Sequence, residues 1–183
     1  MKKIILTLLT LTAIQHAENL DFIYQFSYGV GGDTIVEYEK GKDIDAGMGM
    51  MYGLGISFNP FENMTNLETT FVVGYSTTGS IFDHDNYYIT KIPITLTESY
   101  TYAESWQFGV GMTYHTNHKG HKGDSTLENI KFDNAFGGVF SLGYVFGEEK
   151  KTSISIQATI INYDIYDASI SGNRFAIMME QKF

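Results

Sequence analysis

From Asp45 to Phe58 every even-numbered residue is apolar: Ala46, Met48, Met50, Tyr52, Leu54, Ile56 and Phe58. The intervening residues are Gly47, Gly49, Met51, Gly53, Gly55 and Ser57. Alternation this long predicts an extended strand, because successive side chains on a strand point to opposite faces, and it fits a helical period of 3.6 poorly. The same two-residue period returns in Phe22–Val30, Leu67–Ser76, Tyr88–Leu96, Trp106–His115, Ala135–Phe146, Ser153–Ile160 and Arg174–Phe183. Eight strands are therefore expected, with no helical segment and no internal domain boundary.

The connections between these segments alternate in kind. Residues 59–66, 98–105 and 147–151 are short. Residues 31–44, 78–86, 117–133 and 164–172 are on average longer, polar and mostly acidic. Short turns at one end and larger loops at the other describe an up-and-down antiparallel meander closed into a transmembrane barrel. Alternation alone does not say which face is outside, and a soluble lipocalin-like ligand carrier would hold its apolar face inside. The other face separates the two. It consists of Gly, Ser, Thr and Ala with few charges, whereas a water-exposed sheet face carries many Lys and Glu. The apolar face is also banded. Phe22, Phe58, Trp106, Phe108, Phe146 and Phe183 fall near the short turns, and Tyr28, Tyr75, Tyr88, Tyr114, Phe136 and Phe175 fall toward the long loops. Two aromatic girdles around an aliphatic belt suit a bilayer with two interfaces.

The first 17 residues, MKKIILTLLTLTAIQHA, have two lysines, an apolar run from Ile4 to Ile14 and a small residue at Ala17. That order reads as a cleaved secretory signal peptide (1–17), leaving the barrel domain at 18–183. The run is too short to cross a bilayer as a helix. Removing Lys2 and Lys3 leaves 10 basic and 21 acidic residues, net −11 on 166 residues, which offers no general attraction to a nucleic-acid backbone. The absence of cysteine excludes disulfides, thiolate metal sites and a cysteine nucleophile.

With the signal peptide, the eight alternating segments and a last segment RFAIMMEQKF ending on Phe183, the chain resembles the family of small outer-membrane β-barrels, the eight-stranded OmpA- and OmpX-like proteins. The resemblance covers roughly residues 22–183. It implies residence in the outer membrane of a Gram-negative bacterium. It also implies that Phe175, Ile177, Met179 and Phe183, on one face of the last strand, form the signal read by the barrel-assembly machinery during insertion. It implies little about activity, since one barrel hosts adhesins, enzymes and structural anchors.

Eight strands leave an interior that side chains can fill, so a wide diffusion pore is not expected. The polar residues of the small-residue face are then lumen residues. Asp21, Glu68, Gln107, Glu180 and Lys182 fall near the short-turn end, and Lys91, His115, Tyr163 and Arg174 nearer the long-loop mouth. An internal network of salt bridges and hydrogen bonds is the expectation for Asp21, Glu68, Lys91, His115, Arg174, Glu180 and Lys182. A small anion pocket formed by Lys91, Arg174 and His115 is the sharper alternative.

Small barrels also include lipid A deacylases and palmitoyl transferases. The deacylase pattern places His and Ser two apart on one strand, and here His115-Thr116-Asn117 has Asn in the position of the nucleophile. By parity His115 takes the small-residue face and not the lipid-facing one. A lipid A-modifying enzyme therefore stands as the alternative, and a non-enzymatic barrel without cofactor is the main expectation. His115, His118 and His121 form H-x-x-H-x-x-H, and His84 lies between Asp83 and Asp85. Imidazoles and carboxylates together hold Zn or Cu. The flanking Lys119, Gly120, Lys122 and Gly123 instead favour a solvated loop, and no metal is expected. Asp33, Glu37, Glu39, Asp43, Asp45, Asp164 and Asp167 make the long loops acidic. Exposed loops of this kind stay soluble, and they also have the chemistry to bridge through Mg or Ca to lipopolysaccharide phosphates. The expected role is structural or surface-interacting, as a monomer among outer-membrane lipids.

Overall fold

A computed structural model describes residues 18–36, 43–61, 63–79, 87–122, 132–147, 149–165 and 168–183. The expected signal peptide, His84 and its two flanking aspartates lie outside the described residues, as do Glu37, Glu39 and Asp167. Alternating sequence becomes β1 (Glu18–Val30), β2 (Thr34–Val36), β3 (Ile44–Asp45), β4 (Gly49–Asn59), β5 (Leu67–Gly79) and β6 (Tyr87–Tyr102). These are followed by β7 (Trp106–Lys122), β8 (Ala135–Phe146), β9 (Thr152–Ile165), β10 (Ala168–Ser171) and β11 (Arg174–Lys182). No helix among the described residues is long and apolar enough to cross a membrane.

Eight of these strands close on themselves. β1, β4, β5, β6, β7, β8 and β9 pair antiparallel in chain order, β11 pairs with β9, and β1 pairs with β11 through Ile23↔Lys182 to Val30↔Phe175. Closure leaves the barrel without a free edge. Side chains divide by parity as the pleat requires. Leu54, Val73, Val110, Ile156 and Ile177 face outward, while Ser27, Val72, Ser76, Thr113, Ser155 and Thr159 are buried inside. The outward set is too apolar for water and is at rest only against hydrocarbon. Bulk is outside and small residues are inside, the arrangement of a transmembrane barrel and the reverse of a soluble carrier. At the short-turn end, β6 and β7 are joined by Ala103–Ser105, where Ala103 (φ 47°) and Glu104 (φ 68°) take the left-handed backbone of a tight hairpin without a glycine.

Several boundaries differ from the sequence expectation. Residues at the start of the expected long loops continue as strand: β6 and β7 pair as far as Tyr87↔Lys122, and β9 pairs with β10 as far as Ile165↔Ala168. His115–His121 is therefore strand backbone and not a solvated loop. A bulge between Thr90 and Ile92 on the partner breaks its simple alternation, and the His118 and His121 side chains lie outside the described residues. Alternation from Asp45 also overreached. Asp45 ends the small β2–β3 hairpin, β4 begins at Gly49, and Ala46 is buried at the mouth instead of facing lipid. Phe58, expected in the outer girdle, is only 6% exposed. It lies opposite a bulge of β1 between Glu18 and Asp21, where the pleat loses register and both Ser57 and Phe58 are buried. The other girdle residues of the short-turn end, Phe22, Trp106, Phe108, Phe146 and Phe183, are exposed, as are Tyr28, Tyr75, Tyr114, Phe136 and Phe175 toward the loops.

Candidate functional site

The interior has three levels. At the short-turn end a cavity of about 400 Å³ opens to solvent between Asp21, Phe58, Glu68, Glu104, Gln107 and Lys182. Lys182 on β11 and Glu68 on β5 form an ion pair there. Just inside it, Gln25 Nε2 donates to Glu180 Oε2 at 2.6 Å, which satisfies a buried carboxylate with a neutral donor. At mid-barrel the space shrinks to a cavity of about 30 Å³ beside Gln25, Gln157 and Glu180.

The third level lies toward the loops. Lys91 on β6 is 4% exposed, Arg174 at the start of β11 is 8% exposed, and Tyr163 on β9 is 0% exposed. Lys91 Nζ donates to the Ala46 carbonyl at 3.0 Å and to the Tyr163 hydroxyl at 3.1 Å. His115 Nδ1 stands 2.6 Å from the same hydroxyl, and its ring stacks at 5.8 Å on that of Tyr163. With its oxygen already accepting from Lys91, the Tyr163 hydroxyl is placed to donate to Nδ1. Arg174 Nη2 donates to Ser27 Oγ at 3.0 Å and to the Gly49 carbonyl at 3.2 Å.

Two glycines make this packing possible. A Cβ on Gly29 would meet the Arg174 guanidinium, and a Cβ on Gly172 would meet the Tyr163 ring, so both side chains lie flat against bare backbone. Lys91, His115 and Arg174 line one cavity of about 20 Å³, together with Ser76, Thr95 and Thr113.

Above this level the barrel is sealed by an apolar cluster of Ile44, Ala46, Ile89, Phe132, Ala135, Ile161 and Tyr163, with Ile35 and Ile170 packed against it. Ile35 and Ile44 come from the β2–β3 hairpin of the first acidic loop, so that loop folds back into the mouth instead of standing wholly in solvent. Asp33 Oδ2 accepts from the Ser171 backbone NH at 2.7 Å, and the Asp33 NH donates to the Ser171 carbonyl at 2.8 Å, tying the first loop to the last.

The lumen residues expected from sequence form two separate clusters, one at each of the two depths at which the sequence places them. Glu68, Glu180 and Lys182 meet at one end, with Asp21 on the wall of the same mouth. Lys91, His115 and Arg174 meet at the other. The partners that sequence reading missed are Gln25, Ser27, the Ala46 and Gly49 carbonyls and the apolar cap. Parity signals Gln25 and Ser27, whereas nothing local signals that Ile44 and Phe132 belong inside a barrel. No group of three or more potential metal ligands occurs among the described residues. Phe175, Ile177, Met179 and Phe183 all face outward on or just beyond β11.

The chain matches no protein-family model and no curated protein sequence. Among solved structures it is similar to Neisserial surface protein A, with a TM-score of 0.57 at 8% identity, covering 91% of this chain and 99% of that one. It is also similar to Ail, the attachment invasion locus protein of Yersinia pestis (TM-score 0.48, 8% identity, 90% and 97% covered), and to the outer membrane protein OprG from Pseudomonas aeruginosa (0.46, 14%, 92% and 97%). At such identities the likeness is one of fold. Eight antiparallel strands, a closed ladder, an apolar exterior and a filled interior together give this chain the fold of the small OmpA/OmpX-like outer-membrane β-barrels.

Proposed function

We propose that the protein is a non-enzymatic and non-conducting anchor in the outer membrane of a Gram-negative bacterium, a monomer that holds acidic surface loops in place for a structural or surface-interaction role. The observation that carries this reading is the plugged interior. Between the open short-turn mouth and the apolar cap, the described residues enclose small cavities of about 30 and 20 Å³, where a water molecule takes roughly 10–15 Å³. Cavities of that size hold about one or two waters each, which supports a plugged lumen.

The position of His115 supports the absence of lipid A chemistry: its imidazole is inside, engaged with Tyr163, on the wrong side of the wall to meet acyl chains. The loop carboxylates Asp33, Asp43 and Asp164 are exposed and, with those of Glu37, Glu39 and Asp167, supply hard oxygen ligands through which Mg or Ca could bridge to lipopolysaccharide phosphates. The outward row Phe175, Ile177, Met179 and Phe183 suits recognition by the barrel-assembly machinery during insertion.

Three measurements test the reading. Purified protein in planar bilayers is expected to give no conductance steps. Lipid A from expressing cells is expected to keep its acylation pattern by mass spectrometry. Chelation is expected to reduce the lipopolysaccharide that co-purifies with the barrel. Regular conductance steps or a changed acylation pattern would overturn the proposal.

A further inference from the structure

Two basic side chains, Lys91 and Arg174, are enclosed near the loop end of the barrel, and neither meets a carboxylate among the described residues. The ion pairs among the described residues are Lys150–Glu104, Lys151–Glu149 and Lys182–Glu68, all at the opposite, short-turn end. Lys91 donates only to neutral oxygens, those of Ala46 and Tyr163. Arg174 uses one nitrogen, Nη2, for both of its bonds, to Ser27 and Gly49. The remaining guanidinium donors have no hydrogen-bond partner among the described residues, yet they are not among the fully occluded unsatisfied atoms, of which Ser155 Oγ is the one found. Arg174 and Lys91 both line the cavity of about 20 Å³.

A basic group taken from water into a low-dielectric interior keeps its proton when a counter-charge accompanies it. Two such groups around one small polar cavity, with Ser76, Thr95 and Thr113 on its wall, form the complement of an anion. Water in the cavity would satisfy donors but neutralise nothing.

From the shared cavity and the lack of a carboxylate partner among the described residues we infer that the loop-end lumen holds a monovalent, halide-sized anion between Lys91 and Arg174, as a built-in counter-ion of the fold. The size of the cavity selects the class. It has room for about one or two water-sized particles, which suits a single monatomic halide and leaves no room for phosphate, sulfate or carboxylate metabolites. The site goes beyond the anchoring role proposed above, and each can fail without the other: conduction tests the plug, whereas halide dependence tests this site.

The experiment is equilibrium urea unfolding of the full mature barrel in uncharged detergent, at constant ionic strength, with chloride progressively replacing gluconate. The unfolding midpoint is expected to rise with chloride along a saturating single-site curve, because a ligand bound only by the folded state stabilises it. In Lys91→Met, which keeps the bulk and removes the charge, the chloride dependence is expected to vanish. Should that variant fail to fold, bromide-soaked crystals of the unaltered protein decide the matter through an anomalous peak in the cavity. A midpoint indifferent to chloride, a chloride dependence that survives in Lys91→Met, or a cavity without bromide would each overturn the inference.

Discussion

Replacing Ile156 by arginine tests the assignment of outside and inside at one point. Ile156 is 61% exposed on β9, between Leu142 on one neighbour and Ile177 on the other. Its depth follows from the ladder. Phe146, in the short-turn girdle, pairs with Thr152, and Gly137 pairs with Ile161, which sets Phe136 of the other girdle beside Asn162. A strand rising about 3.3 Å per residue and tilted about 40° climbs roughly 2.5 Å per residue. Ile156 is then about 10 Å above one aromatic level and about 15 Å below the other, and the sum matches the roughly 25 Å apolar band of outer-membrane barrels.

Arginine at that depth is expected to destabilise the barrel by about 2–4 kcal/mol, whereas arginine at Asn162, on the same face at the interface, should cost about 0–1 kcal/mol. Reversible denaturant unfolding in phospholipid vesicles measures both. Trp106, the one tryptophan of the chain, is half exposed on the outer wall and reports on leaving the lipid. Equal midpoints for Ile156→Arg, Asn162→Arg and the unaltered protein would refute the reasoning, because a water-facing isoleucine accepts arginine without penalty.

Tyr163→Phe keeps the ring and removes the hydroxyl that Lys91 and His115 share, and is expected to cost about 1–3 kcal/mol in the same unfolding assay, since the buried donor and acceptor gain no substitute. Gly172→Ala pushes a methyl group into the Tyr163 ring, and a loss of about 1–3 kcal/mol is expected from overpacking a site with no slack; full stability would show that the ring can move aside. At the exposed turn between β8 and β9, the Lys151 ammonium hydrogen-bonds Glu149 and holds its carboxyl below the usual carboxylate range. A lowered acid pKa contributes stability above its unfolded value that is lost as pH falls, but this surface pair is screened by solvent, so Lys151→Ala is expected to leave both the midpoint and its acid dependence nearly unchanged in pH-resolved unfolding curves.

The sequence by itself determined the eight strands of the barrel wall and which of their side chains share a face, but not the added strands β2, β3 and β10 at the mouth. Parity is a local property of extended backbone, and a membrane demands that it hold with few exceptions, so Leu54, Val110 and Ile177 on one side and Ser27, Thr113 and Ser155 on the other were legible residue by residue. The exceptions come where two strands must agree. Phe58 turns inward opposite a bulge that only the pairing with β1 reveals, and the histidine segment stays extended because β6 is there to pair with it.

Tertiary structure alone decided what the inside does. Approximate depth can be read from strand direction, but whether an inward cation finds a carboxylate also depends on the angle around the barrel, which arises from strand stagger and closure and leaves no trace in local spacing. That is why Glu180 meets Gln25 and Lys182 meets Glu68, while Lys91 and Arg174 are left with neutral oxygens and a small polar cavity. The apolar cap is the same case: Ile44 and Phe132, far apart in acidic or polar sequence, can pack together only once a closed wall gives them a dry mouth to fill.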